Sequence, residues 1–190
     1  MNALLAAEGG WQEFELSGTD WALIAFSGIT ALVAVLVGFL LMKGVLAEDE
    51  GTDKMKEIAG AIQEGALAYL RRQFRTIAFI LVPLIVIVFV TSTAIMKPTE
   101  GGGTVEALSQ PLSGTFRTIA FLVGCLMSGL TGFIGMSLAV RGNVRTAAAA
   151  RSGSMPRALK VAFRTGSIAG MFTVGLGLIG ATAVIALFQN

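Results

Sequence analysis

The sequence predicts an all-α, polytopic membrane fold of four spanning helices, and three observations carry that reading. Of 190 residues, 54% are hydrophobic and only 14% are charged, whereas soluble domains carry about 25% charged residues. The mean hydropathy of +0.77 implies more apolar surface than a water-soluble core encloses. Four stretches, Trp21 to Met42, Thr76 to Met96, Thr118 to Val140 and Thr165 to Asn190, carry no charge. A helix rising ~1.5 Å per residue needs roughly 20 residues to cross a ~30 Å apolar layer, and each stretch meets that requirement. The expected spans are therefore about 21–42, 76–96, 118–140 and 165–188, within one membrane domain covering 1–190.

The first 20 residues contain no Lys or Arg and carry Glu8, Glu13, Glu15 and Asp20. A secretory signal needs a basic start, so this segment is expected to be a short, retained, exposed tail. Trp11 and Trp21 suit an interfacial aromatic belt beside the first span.

Segment 43–75 holds six Lys/Arg and 141–164 holds six, against only Lys97 and Arg117 in 97–117. The positive-inside rule puts loops 43–75 and 141–164 in the cytoplasm and both termini outside, in a multi-pass cell-membrane protein. Within the first of these loops, Met55, Ile58, Ala59, Ile62, Ala66, Tyr69 and Leu70 recur at helical spacing. The second span is thus expected to extend inward, with Asp53 as N-cap and Glu57 in the first turn. Arg141 to Arg151 is rich in Ala, the best helix former, and extends the third span likewise, before a turn at Gly153 and Pro156.

On the opposite side, Lys97-Pro98-Thr99-Glu100 and Gly101-Gly102-Gly103 read as a flexible connection ending near Ser113-Gly114. Pro83 inside the second span removes one backbone hydrogen bond and is expected to give a modest kink. Small residues recur four apart at Gly124/Ser128/Gly132, Gly166/Gly170 and Thr173/Gly177/Ala181. Such stripes favour close helix packing, read here chiefly as packing within the four-helix unit, with packing against a further partner as the alternative.

The chemistry available is narrow. The absence of histidine removes the commonest metal ligand and the usual near-neutral proton relay. A single cysteine, Cys125, excludes an intramolecular disulfide and reads as packing. No span carries an ionisable residue, so ion translocation through this segment alone is unattractive. Glu48, Asp49, Glu50, Asp53, Glu57 and Glu64 could together hold Mg²⁺, but alternating charges read better as a solvated face. Arg141, Arg145, Arg151, Arg157, Lys160 and Arg164 could attract a polyphosphate, or Glu64, Arg145 or Arg164 an anion at the cytoplasmic mouth. Membrane topology already requires basic residues there, and no nucleic-acid motif accompanies them. GLGLIG at 175–180 lies inside a span and reads as packing rather than a nucleotide loop.

Three longer stretches carry more specific information. MKEIAGAIQEGALAYLRRQFRTI (55–77) resembles the entry into the second helix of membrane-bound, proton- or sodium-translocating inorganic pyrophosphatases. GFIGMSLAVRGNVRTAAAA (132–150) resembles that family's third helix, and ALKVAFRTGSIAGMFTVGLGLIG (158–180) the approach to its fourth. They occur in the family's order and spacing and, with the first span, cover nearly the whole chain.

The resemblance implies hydrolysis of inorganic diphosphate with Mg²⁺, coupled to export of H⁺ or Na⁺, with K⁺ as a further cofactor in some members. It implies a homodimer of subunits with about sixteen helices each, embedded in a lipid bilayer. In that family the residues holding Mg-pyrophosphate lie on the fifth and later helices, whereas the fourth span here runs to Asn190. No catalytic, cofactor-binding or metal-binding residue is therefore assigned. The expectation is an outer-ring scaffold, inactive alone, whose partners are the remaining helices of the pump. The alternative is a self-contained four-helix structural or assembly subunit without catalysis.

Overall fold

A computed structural model describes residues 16–98 and 104–188. Helix α1 spans Gly18–Leu46, α2 Asp53–Thr91, α3 Gln110–Arg151 and α4 Met155–Phe188, with two short strands, β1 Ile95–Pro98 and β2 Thr104–Leu108, between α2 and α3. All four helices are long and apolar enough to cross a membrane. The expected four-span helical architecture is present, with an antiparallel β-ribbon added at one end.

Local sequence sets the helix starts. Ser17 caps α1 through a reciprocal box: its side chain accepts from the Asp20 amide, and Asp20 Oδ2 accepts from the Ser17 amide at 2.9 Å and hydroxyl at 2.7 Å. Thr52, not Asp53, is the N-cap of α2; its side chain accepts from the Met55 amide while Asp53 opens the helix. A hydroxyl one residue earlier satisfies the free amide, leaving the Asp53 carboxylate to favour the positive helix start.

Gln110 begins α3 with Pro111 in its first turn, where a missing N–H costs nothing. The expected connection up to Gly114 is therefore shorter: β1 and β2 pair, and the helix starts earlier. The second span also ends at Thr91 rather than 96, because Ile95 and Met96 enter the ribbon. Gly101–Gly103 lie outside the described residues. Gly153 at φ +81° makes the α3–α4 turn in the left-handed region that suits glycine, and Pro156 falls in the first turn of α4. The second and third spans are extended as expected, and α4 also begins ten residues before the charge-free stretch at Thr165.

The helices form a curved row ordered α2, α3, α4, α1. Sequence neighbours α1 and α2 are thus not the packed pair; α4 and then α3 stand between them. Val45, Leu138, Ile168, Phe172 and Leu176 make the principal core where α1, α3 and α4 meet. Glycines allow the closest approaches. A Cβ on Gly175 would meet Val35 Cγ2 at 2.6 Å and the Ala31 carbonyl at 3.1 Å, one on Gly114 would meet Phe89, and one on Gly142 would collide with Thr165.

Outside these contacts the charge-free stretches present an apolar surface, with Phe79 81% and Phe26 68% exposed, as suits lipid contact. Hydroxyls within the spans bond back to their own helices, as in Thr30 to Phe26 O (2.8 Å), Thr131 to Met127 O (2.9 Å) and Thr173 to Ala169 O (2.8 Å). Where no water competes, this keeps an inserted polar group satisfied.

Candidate functional site: an open groove and a charged corner

The small-residue stripes do not do what the sequence suggested. A Cβ built on Gly124, Gly132, Gly166, Gly170 or Gly177 would meet nothing within 4 Å. The close contacts inside the unit instead use Gly38, Gly129, Gly142 and Gly175, which lie outside these stripes, and Gly180, which meets Met127 at one edge of the same face. Four-residue spacing identifies a smooth face; it does not say which neighbour that face meets.

Two of the stripes face the same space. Gly124, Ser128 and Gly132 of α3 and Thr173, Gly177 and Ala181 of α4 line an open groove of about 670 Å³. It lies on the side of α4 away from α1, since Gly175, two residues from Gly177, is the position that abuts α1. From Ala120 to Gly132 the groove follows α3 for about 18 Å at ~1.5 Å per residue. Its walls carry no charge, and the Thr131 and Thr173 hydroxyls are already bonded within their own helices. A polar solute would find few partners there, whereas another helix could approach closely over the glycines.

The charged residues collect at the opposite, basic end, where the α1–α2 loop (47–52) crosses the α3–α4 turn. Arg145 is buried; its Nη2 donates to Glu50 Oε1 at 2.7 Å and to the Leu46 carbonyl at 3.1 Å, and Nη1 donates to the Arg141 carbonyl at 2.8 Å. Arg157 pairs with Glu48 at 2.9 Å, Lys54 with Glu57 at 2.8 Å and Lys56 with Asp53 at 3.5 Å. Asp49 Oδ1 accepts from the Gly51 amide at 3.0 Å. The carboxylates considered for Mg²⁺ are thus dispersed among basic partners. Among the described residues, no three or more Asp, Glu or Cys side chains gather to hold a metal.

Arg145 cannot serve as an anion receptor at a cytoplasmic mouth, because its donors are turned into the protein. Glu64 instead lines a shallow groove with Arg71, Phe74 and Phe133 between α2 and α3. Arg141, Arg151, Arg157 and Lys160 are exposed and Arg164 half-buried. Sequence reasoning did not find the Arg145–Glu50 pair, whose members are 95 residues apart. It also missed the Ser17 cap, although Ser-x-x-Asp before an apolar run was a legible signal.

Four antiparallel helices, each with a long apolar stretch that carries no Asp, Glu, Lys or Arg, define a multi-pass helical membrane protein. Its family follows from comparison with known proteins: the model of the inorganic H⁺ pyrophosphatase family matches residues 32–190, and the chain belongs to that family. It is 44% identical over 173 residues to the K(+)-insensitive pyrophosphate-energized proton pump of Chloroflexus aurantiacus, covering 88% of this chain and 21% of that protein. Proteins of the same description from Streptomyces coelicolor (41% over 186 residues; 91% of this chain, 22% of that one) and Methanosarcina mazei (38% over 168; 88% and 22%) are also similar. The chain spans about a fifth of the length of these relatives.

Proposed function

We propose that this chain is a supporting part of a pyrophosphate-energised proton pump, in which the rest of the polypeptide performs diphosphate hydrolysis and ion movement. The groove between α3 and α4 carries this reading: an uncharged, glycine-lined surface about as long as half a membrane span suits one apolar helix from the remainder of the pump. The charge-free spans favour a scaffold over a conducting path, since a pump needs an ionisable group within the membrane.

The relatives' description as proton pumps favours H⁺ over Na⁺ as the exported ion, and as K⁺-insensitive favours no K⁺ requirement. Mg²⁺, where required, would be held by other parts of the pump, and a homodimer would be built by them. Twelve of the fourteen basic residues lie in 43–75 and 141–164, which supports placing that end in the cytoplasm and both described termini outside.

Membranes carrying residues 1–190 alone are expected to release no phosphate from pyrophosphate. Co-production with the remaining roughly four-fifths of the Chloroflexus relative as a separate polypeptide is expected to restore pyrophosphate-driven proton uptake. Hydrolysis by the 190-residue chain alone would overturn the reading. A stable homo-oligomer that ignores the added polypeptide would favour the self-contained assembly subunit instead.

A further inference from the structure

The basic end holds a second device, independent of the pump reading. Helices α1 and α2 are joined by only six residues yet do not pair, so their connection must be held by something else. Val45, in the last turn of α1, is 1% exposed and locked into the core with Leu138 and Ile168. One residue on, the Leu46 carbonyl sits at the helix end, where carbonyls lack an intrahelical partner and the helix dipole is negative. Arg145 of α3 supplies both the donor and the charge, and with the same Nη2 it binds Glu50 in the loop beyond. Gly51, at φ +83°, then turns the chain against Ala148, one helical turn from Arg145.

We propose that Arg145 is a positioning residue that clasps the end of α1 and the α1–α2 loop onto α3, so that the basic ends of α1 and α3 and the loop between α1 and α2 move as one body. The exposures of the pair make the reading specific. The Arg145 side chain is 9% exposed and that of Glu50 43%. Glu50→Ala therefore strands a buried guanidinium with only two carbonyl partners and an Nε that already lacks one. Arg145→Met removes the buried charge and leaves a carboxylate that water can reach. Losing the carboxylate should thus disturb the corner more than losing the arginine, and removing both should be no worse than Arg145→Met. An ordinary exposed ion pair would show neither the asymmetry nor the rescue.

The test uses the full 190-residue chain in detergent with Cys125→Ser, reading the rate at which a maleimide labels a cysteine at position 45. Arg145→Met is expected to raise that rate about tenfold, equivalent to ~1.4 kcal/mol of local opening, and Glu50→Ala to raise it further. The double variant should return to the Arg145→Met rate. A cysteine placed instead at Thr182, which meets Ser27 at the far end of the α1–α4 contact, should label at its original rate throughout, separating a local clasp from general loosening. Should Arg145→Met not insert, Arg145→Lys and Glu50→Gln give the same comparison, with both expected to label position 45 faster. Unchanged labelling at 45 in these variants, or equal acceleration at 45 and 182, overturns the proposal.

Discussion

Gly175 and Gly177 lie two residues apart on α4 and face different surroundings, so a methyl group added at each should have opposite consequences. At Gly175 it would meet Val35 Cγ2 at 2.6 Å, the Ala31 carbonyl at 3.1 Å and the Val35 amide nitrogen at 3.2 Å. Carbon atoms prefer about 3.5–4.0 Å, so the side-chain contact is about 1 Å too short. Two of the three neighbours are backbone, which a rotamer change cannot move, so α1 itself must retreat. Overpacking of this kind costs about 1–3 kcal/mol. At Gly177 the same methyl meets nothing within 4 Å. Both substitutions gain the same intrinsic helix propensity, ~1 kcal/mol for Gly to Ala, which cancels in their difference. Gly175→Ala should therefore be less stable than Gly177→Ala by about 1–3 kcal/mol, a factor of roughly 5 to 150 in the folded-to-unfolded ratio. Reversible unfolding in mixed micelles, followed by circular dichroism, measures it. Equal stabilities, or a less stable Gly177→Ala, would refute the assignment of these two faces.

Two other outcomes are expected. A cysteine at Ser152, in a Cys125→Ser background, should resist a membrane-impermeant thiol reagent in intact cells and react once they are opened; reaction in intact cells would reverse the orientation drawn from charge. At the other end of the spans, the Ser17 hydroxyl and amide donate to Asp20 and hold its carboxyl below its ordinary 3.8. Because the folded value is the lower one, the cap's contribution is complete above about pH 3.8 and is lost as pH falls through the folded value. Amide hydrogen exchange in the first turn of α1 should accelerate over that range beyond the intrinsic change, and Asp20→Asn should abolish the effect. The same pH response in Asp20→Asn would exclude the carboxylate as its source.

What was legible in the sequence was whatever depends on composition along the chain. Charge-free runs located four spans, and helical spacing from Met55 to Leu70 extended the second of them, because apolar length and periodicity are local properties. The ends were less legible. Asp53 looked like a cap, yet Thr52 does the capping, since two adjacent cap-forming residues compete. Met96, read as the end of a span, pairs in the ribbon. Partners across the fold were not legible at all: the link from Arg145 to Glu50 depends on how α3 crosses the α1–α2 loop, and one-dimensional charge counts read it only as topology. The glycine stripes show the same limit. Gly177 and Gly175 look alike in the sequence, and only the row order of the helices separates the face that is filled from the face that is open.

The most direct test of the scaffold reading is to exchange the matching segment of the Chloroflexus aurantiacus pump for this chain and to measure pyrophosphate-driven proton uptake with Gly177 intact and with Gly177→Leu. The intact exchange is expected to pump. The Gly177→Leu exchange is expected to lose uptake, while the isolated 190-residue chain carrying the same substitution stays folded, because the leucine fills a groove that another helix must enter. Undiminished pumping with leucine at 177 would contradict the proposal that this surface receives the rest of the pump.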